Sequence, residues 1–299
     1  MGTLGSLFAL LASAVTAVPA VADTPMGATT SAPLYHELPA WVQKAGRLNV
    51  GTSLAFPPYD FNTPSNTTVI GFEPDLDQAL SKLLGVPFVL HIAQFPQLVL
   101  GVASHRFDIA IDGVSDSRAR EKQVDFVDYG QAALVILTPA TRAPQVKSVT
   151  SICGNTLAYA QGTYGQQTAQ DITLLCKQRH LPAPKVVQFP DAPSIQLALE
   201  SGRIAFELED TATGGWDVLQ SKGKIADIPI TGFTNSQYNG DFAEELFGVV
   251  VGKGQHQLEV ALRDGFNRLI ANGTYARILK HWGVSNLAVA QATIDTPSF

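Results

Sequence analysis

RFDIAIDGVSDSRAREKQVDF, residues 106–126, carries the most information in this 299-residue chain. An apolar strand from Asp108 to Ile111 runs into a turn of small and polar residues, Gly113-Val114-Ser115-Asp116-Ser117. The turn then reads as the start of a helix that carries Arg118 and Arg120. A strand feeding a helix N-terminus leaves backbone N–H groups free for an anion. An arginine one turn in adds a bidentate grip on a carboxylate. The alternative is an ordinary Ser/Asp cap followed by surface arginines.

Working outward, strands alternate with helices on both sides of this stretch. Leu38 to Arg47 reads as a short helix and Leu48 to Gly51 as a strand. Phe56-Pro57-Pro58-Tyr59-Asp60-Phe61 is a proline-fixed aromatic loop. Apolar residues at Phe72, Leu76, Leu80 and Leu83 predict a helix ending at Gly85, then a strand over Phe88–Ile92 and a helix from Phe95 to Ser104. The pattern restarts after Pro139. Strand Thr156–Ala160, helix Gln166–Gln178, strand Lys185–Phe189, helix Ala192–Ser201 and strand Ile204–Leu208 form a second α/β unit. Residues Thr138 to Pro144 read as the connector. Leu246–Val251 is strand-like, and Leu258–Trp282 is helical with a break at Asn272-Gly273. Such alternation predicts α/β architecture with mainly parallel sheets, and the length suits two lobes.

Composition narrows the function. Hydrophobic residues make up 45% and charged residues 15%, with a net charge of −6. No basic footprint for nucleic acid is present. The first 22 residues are uncharged, and the apolar run Leu7–Val21 ends in Ala20-Val21-Ala22, the pattern of a signal peptide cleaved before Asp23. An uncleaved anchor is the alternative, and there is no lipobox Cys near the cleavage site. Two cysteines, Cys153 and Cys176, are expected to form one disulfide in an exported chain, with two buried free thiols as the alternative. They lack neighbouring His or Cys partners for a metal.

Several motifs in order resemble the bacterial extracellular solute-binding proteins of family 3, the amino-acid receptors of ABC importers. Gly113, Ser115, Ser117, Arg120 and Val124-Asp125-Phe126 fall in register with a family segment, as do Gln161-Gly162-Thr163, the run Gly202–Asp210, Gly248–Gly254 and Asn272-Gly273-Thr274-Tyr275. Departures are Arg118-Ala119, Asp112 and Tyr164. The resemblance spans roughly residues 46–286. It implies a two-lobed type II periplasmic-binding-protein fold, each lobe a mixed, mainly parallel sheet flanked by helices, joined by a two-segment hinge. The expected division is a signal peptide over 1–22, a leader and short helix over 23–45, and a flexible tail over 287–299. Lobe one is expected to take 46–139 plus 248–286, and lobe two 140–247.

The resemblance also implies a ligand site between the lobes. Arg120, Ser115, Ser117 and Thr163 would take a ligand carboxylate. Asp210, Asp112 and Gly113 would take its amino group, with Phe56 and Phe95 stacking on its side chain. Asp210 also reads as a helix N-cap. Family receptors for basic amino acids often carry an acid where this chain has Ser53, so an uncharged ligand side chain is expected. Glu207 and Glu209 have no role in this frame. The chain reads as a periplasmic or secreted, monomeric receptor that docks on a membrane permease. No cofactor, metal or nucleic acid is implied. The rival reading is a prephenate or arogenate dehydratase on the same scaffold, with Glu207, Glu209, Asp112 or Glu73 as general acid. A sensor domain acting through a partner is a third.

Overall fold

The computed structural model describes residues 27–63, 65, 68–229 and 245–297. The signal segment over 1–22 and part of the expected lobe two, 230–244, lie outside the described residues. In chain order the elements are α1 (Ala40–Ala45), β1 (Leu48–Thr52), β2 (Ala55–Phe56), β3 (Asp60–Asn62), β4 (Val69–Ile70) and α2 (Phe72–Leu84). Next come β5 (Phe88–Ile92), α3 (Leu98–Ala103), β6 (Ile109–Ser115), β7 (Val124–Ala132) and β8 (Leu134–Pro139). The second unit holds β9 (Thr156–Ala160), α4 (Gly165–Gln178), β10 (Lys185–Phe189), α5 (Ala192–Glu200), β11 (Phe206–Asp210), α6 (Thr211–Gln220) and β12 (Ile225–Pro229). The chain closes with β13 (Glu245–Gly252), α7 (His256–Ala271), α8 (Thr274–His281) and β14 (Thr293–Ile294).

Two principal sheets result, in the orders β14-β7-β13-β6-β1-β5 and β10-β9-β11-β8-β12. A small sheet β2-β3-β4 supports the aromatic loop. In the first sheet β5, β1 and β6 run parallel, while β13 runs antiparallel to β6 and β7. In the second, β10, β9 and β11 are parallel and β8 is antiparallel to β11 and β12. Apolar clusters cover both faces of each sheet, so each lobe is a helix–sheet–helix sandwich. Helix α2 shows how the sequence builds this. Phe72, Leu76, Leu80 and Leu84 recur at helical spacing and are fully buried, and Gly85 ends the helix in the left-handed conformation.

The structure departs from the sequence expectation in five places. Residues 118–123 form turns rather than a helix: Arg120 N and Glu121 N donate to Ser117 O, and β7 begins at Val124. The segment from Arg118 to Lys122 has only one apolar residue and no face to bury, so nothing propagates the first turn. The crossing between sheets occurs at Ala133, because β8 pairs with β11 and β12 rather than with the first sheet. Glu245–Phe247 likewise pair in the first sheet, with Gln131, Gly130 and Ala132 opposite. The described part of the leader is packed: Leu34, Tyr35 and Leu38 are buried, and Thr29 N donates to Gly85 O. The tail from 287 is pinned by β14 against β7 and by Asp295 Oδ1, which accepts from Phe126 N at 2.8 Å.

Cys153 and Cys176 form the disulfide, which ties the turn before β9 to α4.

Candidate functional site

Strand ends from both sheets meet where β6, β11 and β13 terminate or begin. The apolar run Ile109-Ala110-Ile111 carries β6 through the core and delivers Gly113 and Ser115 to the junction. Gly113 sits at φ +58°, and a Cβ there would lie 2.8 Å from Tyr59 Cε1 and 3.1 Å from Phe56 Cε1. The glycine therefore lets both rings lie on the backbone. Phe56 stacks on Tyr59 with centroids 4.8 Å apart, and Phe95 approaches Phe56 at 6.3 Å.

From the second sheet, β11 ends at Asp210, two residues later than the sequence suggests. Asp210 caps α6: its Oδ1 accepts from Ala212 N at 2.7 Å and Thr213 N at 3.1 Å. Tyr59 O–H, from the other lobe, donates to the same oxygen at 3.3 Å. Asp210 Oδ2 has no partner and is buried. The cap and an open acceptor thus coexist on one carboxylate.

Arg120 spans the junction. Its Nη1 donates to Ser115 O at 2.6 Å and its Nη2 to Gly162 O at 2.8 Å, in the other lobe. The guanidinium lies 5.9 Å from the Phe95 ring centroid. Burial lowers its pKa, opposed by Glu245 and Asp116. Gly162, at φ +83°, lies against Pro96, so a side chain there would be strained and its Cβ crowded at 3.0 Å from Pro96 Cγ across the cleft. Thr163 Oγ1 donates to Ala160 O at 2.8 Å, and the residue lines both cavities described below.

Glu245 is a site residue the sequence reading missed. It is buried at the start of β13, where Ser115 Oγ donates to its Oε1 at 3.0 Å. Burial pushes its pKa up to about 8, with Ser115 and Arg120 pulling it down and Asp210 pushing it up. Tyr164 is half-buried, its buried hydroxyl has no partner, and burial followed by the charges of Glu245, Asp210 and Glu209 raises its pKa. Glu209 Oε1 accepts from Asp210 N at 2.9 Å and faces the same pocket. Glu207 is fully buried with neither oxygen partnered, and burial and Asp217 raise its pKa.

Two expected residues stand elsewhere. Ser117 is buried in the turn, and its Oγ accepts from Arg120 N at 3.4 Å. Asp112 is fully buried beneath the cleft floor, where Ser53 Oγ donates to its Oδ1 at 3.2 Å. Neither lines the two cleft cavities; Arg120 does not line them either, but it bonds to the carbonyl of Ser115, which does.

The cleft has two compartments. An inner pocket of about 20 Å³, bounded by Tyr59, Ser115, Tyr164, Asp210 and Glu245, holds about one water. An outer cavity of about 570 Å³ opens from it, walled by Ser53, Phe56, Phe95, Gln94, Gln161 and Thr163. That size suits a small organic ligand.

Comparisons with known proteins bear on the family and the fold. Residues 48–285 match the family model of bacterial extracellular solute-binding proteins, family 3. The arginine-binding protein ArgT of Corynebacterium glutamicum is 24% identical over 260 residues, covering 86% of this chain and 81% of that protein. An Escherichia coli ABC transporter arginine-binding protein is 26% identical over 241 residues, 80% of this chain and 91% of its own. The structure of an ancestral arginine-binding protein bound to arginine superposes with a TM-score of 0.68 at 25% identity, covering 79% of this chain and 98% of that one. An ancestral amino-acid-binding precursor of cyclohexadienyl dehydratase gives 0.70 at 24% identity over 81% and 97%, a likeness of fold alone. With the family pattern running from β1 to the end of the helical region and the two-lobed fold in place, this chain belongs to family 3 of the bacterial extracellular solute-binding proteins.

Proposed function

We propose that the chain is the receptor of an ABC importer and captures an amino acid or related amino-carboxylate between its two lobes. One observation carries the reading. Asp210, with one buried oxygen unpartnered, lines the inner pocket, and the Arg120 guanidinium stands behind its Ser115 wall, bonded to the Ser115 carbonyl. A cation and a carboxyl group at one pocket are what a zwitterion requires, and an incoming ammonium would offset the burial that raises the Asp210 pKa. The ligand carboxylate would take the Arg120 fork, beside Ser115 and Thr163. Its ammonium would donate to Asp210 Oδ2, with Glu245 alongside. The side chain would leave past Phe56 and Phe95 into the outer cavity, whose glutamines and Ser53, with one cation and one acid at Arg106 and Asp191, favour a polar group of no net charge. In this reading lobe one comprises the first sheet and lobe two the second, with the chain leaving the first sheet at Ala133 and pairing in it again from Glu245. The protein would work as an exported monomer docking on a membrane permease.

Binding would proceed by exchange. The ligand carboxylate would replace Gly162 O on Arg120, and the ammonium would meet an acceptor that Tyr59 leaves free. A thermal-shift panel of amino acids, including arginine, cystine, histidine and glutamine, with prephenate and arogenate added, tests the reading. A ligand at 100 times its Kd adds about 2.7 kcal/mol, a rise of roughly 5 °C for a chain of this size. Arg120→Ala and Asp210→Ala should abolish that rise, since losing a buried charge partner costs roughly 2–5 kcal/mol. Arg118→Ala, on an exposed turn, should leave it intact. Equal losses from both arginines would refute the assignment. Consumption of prephenate or arogenate, with no amino-acid response, would favour the dehydratase reading and make the buried Glu245 carboxyl its general acid.

A further inference from the structure

Beneath the floor of the cleft, three carboxylates converge inside lobe one. Asp60 begins β3, Glu73 lies in the first turn of α2, and Asp112 is on β6. They are 3%, 1% and 0% exposed. One oxygen from each lies within 4.8 Å of the other two. Among the described residues, no basic side chain forms an ion pair with any of them.

The partners divide each carboxylate in the same way. Asp60 Oδ2 accepts from Thr52 Oγ1, leaving Oδ1 without a partner. Glu73 Oε1 accepts from Gly113 N at 2.8 Å and from the Tyr129 hydroxyl, leaving Oε2 without one. Asp112 Oδ1 accepts from Ser53 Oγ, leaving Oδ2. Each group is thus oriented through one oxygen and open through the other, the arrangement that outer hydrogen bonds impose on metal ligands. A fourth acid stands beside them. Asp77, one helical turn after Glu73, is buried with Oδ1 unpartnered, and its charge acts on both Asp60 and Glu73.

We propose that Asp60, Glu73 and Asp112 form a calcium site that braces the lobe-one floor of the ligand cleft. The dimensions favour calcium over magnesium. A point equidistant from three oxygens spaced up to 4.8 Å apart lies up to about 2.8 Å from each, and small inward shifts reach the 2.3–2.6 Å of calcium coordination. Magnesium demands about 2.0–2.1 Å and near-octahedral order. Asp77 and water would complete the shell. A divalent ion would also offset charge that is costly to bury uncompensated. Its effect on the cleft is direct: Asp60 follows the Phe56–Tyr59 loop, Asp112 precedes Gly113, and Glu73 holds the Gly113 N–H.

The test uses the full chain stripped with EDTA, with Ca²⁺ and Tb³⁺ as probes. Expected are one Ca²⁺ per chain, Tyr129-sensitised Tb³⁺ luminescence displaced by Ca²⁺, and a melting temperature raised by roughly 5 °C at 100 times Kd. Glu73→Gln and Asp112→Asn should each lose all three signals. Metal-free Asp112→Asn should melt no lower than metal-free wild type, because it removes a repelling charge. Should Asp112→Asn fail to fold, Asp60→Asn addresses the same carboxylate pair. Two results would overturn the site. One is no calcium response up to about 10 mM, beyond the weakest extracellular calcium modules, which would leave the triad sharing protons. The other is calcium binding retained in either variant. Neither result bears on amino-acid capture, which the ligand panel reads separately.

Discussion

Glu245→Gln isolates the energetic cost of the buried charge in the cleft. Glu245 is held at a pKa of about 8 in the folded chain, mainly by burial, against an ordinary value of 4.5. Between those values the folded chain keeps a proton that the unfolded chain has lost. The group's contribution to stability is therefore full at low pH and disappears as pH rises through 8. From pH 6 to pH 8 the loss from this one group is about 2 kcal/mol. Glutamine keeps the shape and can still accept from the Ser115 hydroxyl, but it has no proton to release. Wild type and variant should therefore diverge by about 2 kcal/mol across this interval, roughly 4–8 °C in Tm. Asp77, Asp116, Asp128 and Asp217, whose pKa values burial also raises, bend both curves alike and drop out of the difference. The assay is thermal unfolding by circular dichroism, ligand-free and in EDTA, at both pH values. Parallel wild-type and variant curves would refute the reasoning, because they would mean that Glu245 is ionised in the fold.

Two further outcomes follow from the architecture. Trp216 on α6 meets Phe61 at 5.2 Å and Trp282 at 6.4 Å across the two lobes, so a ligand that changes lobe spacing should change tryptophan emission. Trp216→Phe should remove most of that change; an undiminished signal would place its source at Trp41 or Trp282. Replacing both Cys153 and Cys176 by Ala should lower Tm by roughly 6–10 °C, the effect of about 3 kcal/mol for a loop of this length, and a shift under 2 °C would show that packing around α4 carries the stability instead.

The parts of this fold that the sequence made legible are those where one local signal agrees with one burial pattern. Helix α2 has its helical spacing and its Gly85 stop, and Asp210 is an acid placed before a helix start. Failures came where two signals competed or where packing was remote. The Ser/Asp cap pattern after Ser115 promised a helix, yet Arg118 to Lys122 offers no apolar face. The run from Val124 to Pro139 switches sheets at Ala133 with no glycine or proline to mark it, so the more visible Pro139 drew the boundary. Leu34, Tyr35 and Leu38 sit in a stretch whose Thr, Pro and Ser content averages to a loose leader, although those three side chains fill the core. Glu245 follows another glutamate and reads as surface charge. Only the pairing of β13 with β6 and β7 places it in the cleft.

The same two groups proposed to hold a zwitterion already join the lobes in this conformation. Arg120 holds the Gly162 carbonyl, and Asp210 accepts the Tyr59 hydroxyl. Both bonds use a neutral partner on a group that bears charge. A ligand carboxylate and ammonium would supply charged partners instead, adding attraction between opposite charges, and a bidentate fit on the guanidinium, to bonds that are already charge-assisted. The inner pocket, with room for about one water, must widen to admit them. Affinity is then a difference between two joined states rather than the full strength of the ligand contacts. A variant that weakens only the ligand-free bridge should bind more tightly than wild type. Tyr59 is the residue through which that difference is set, since its hydroxyl belongs to the ligand-free bridge while its ring remains the support for Phe56.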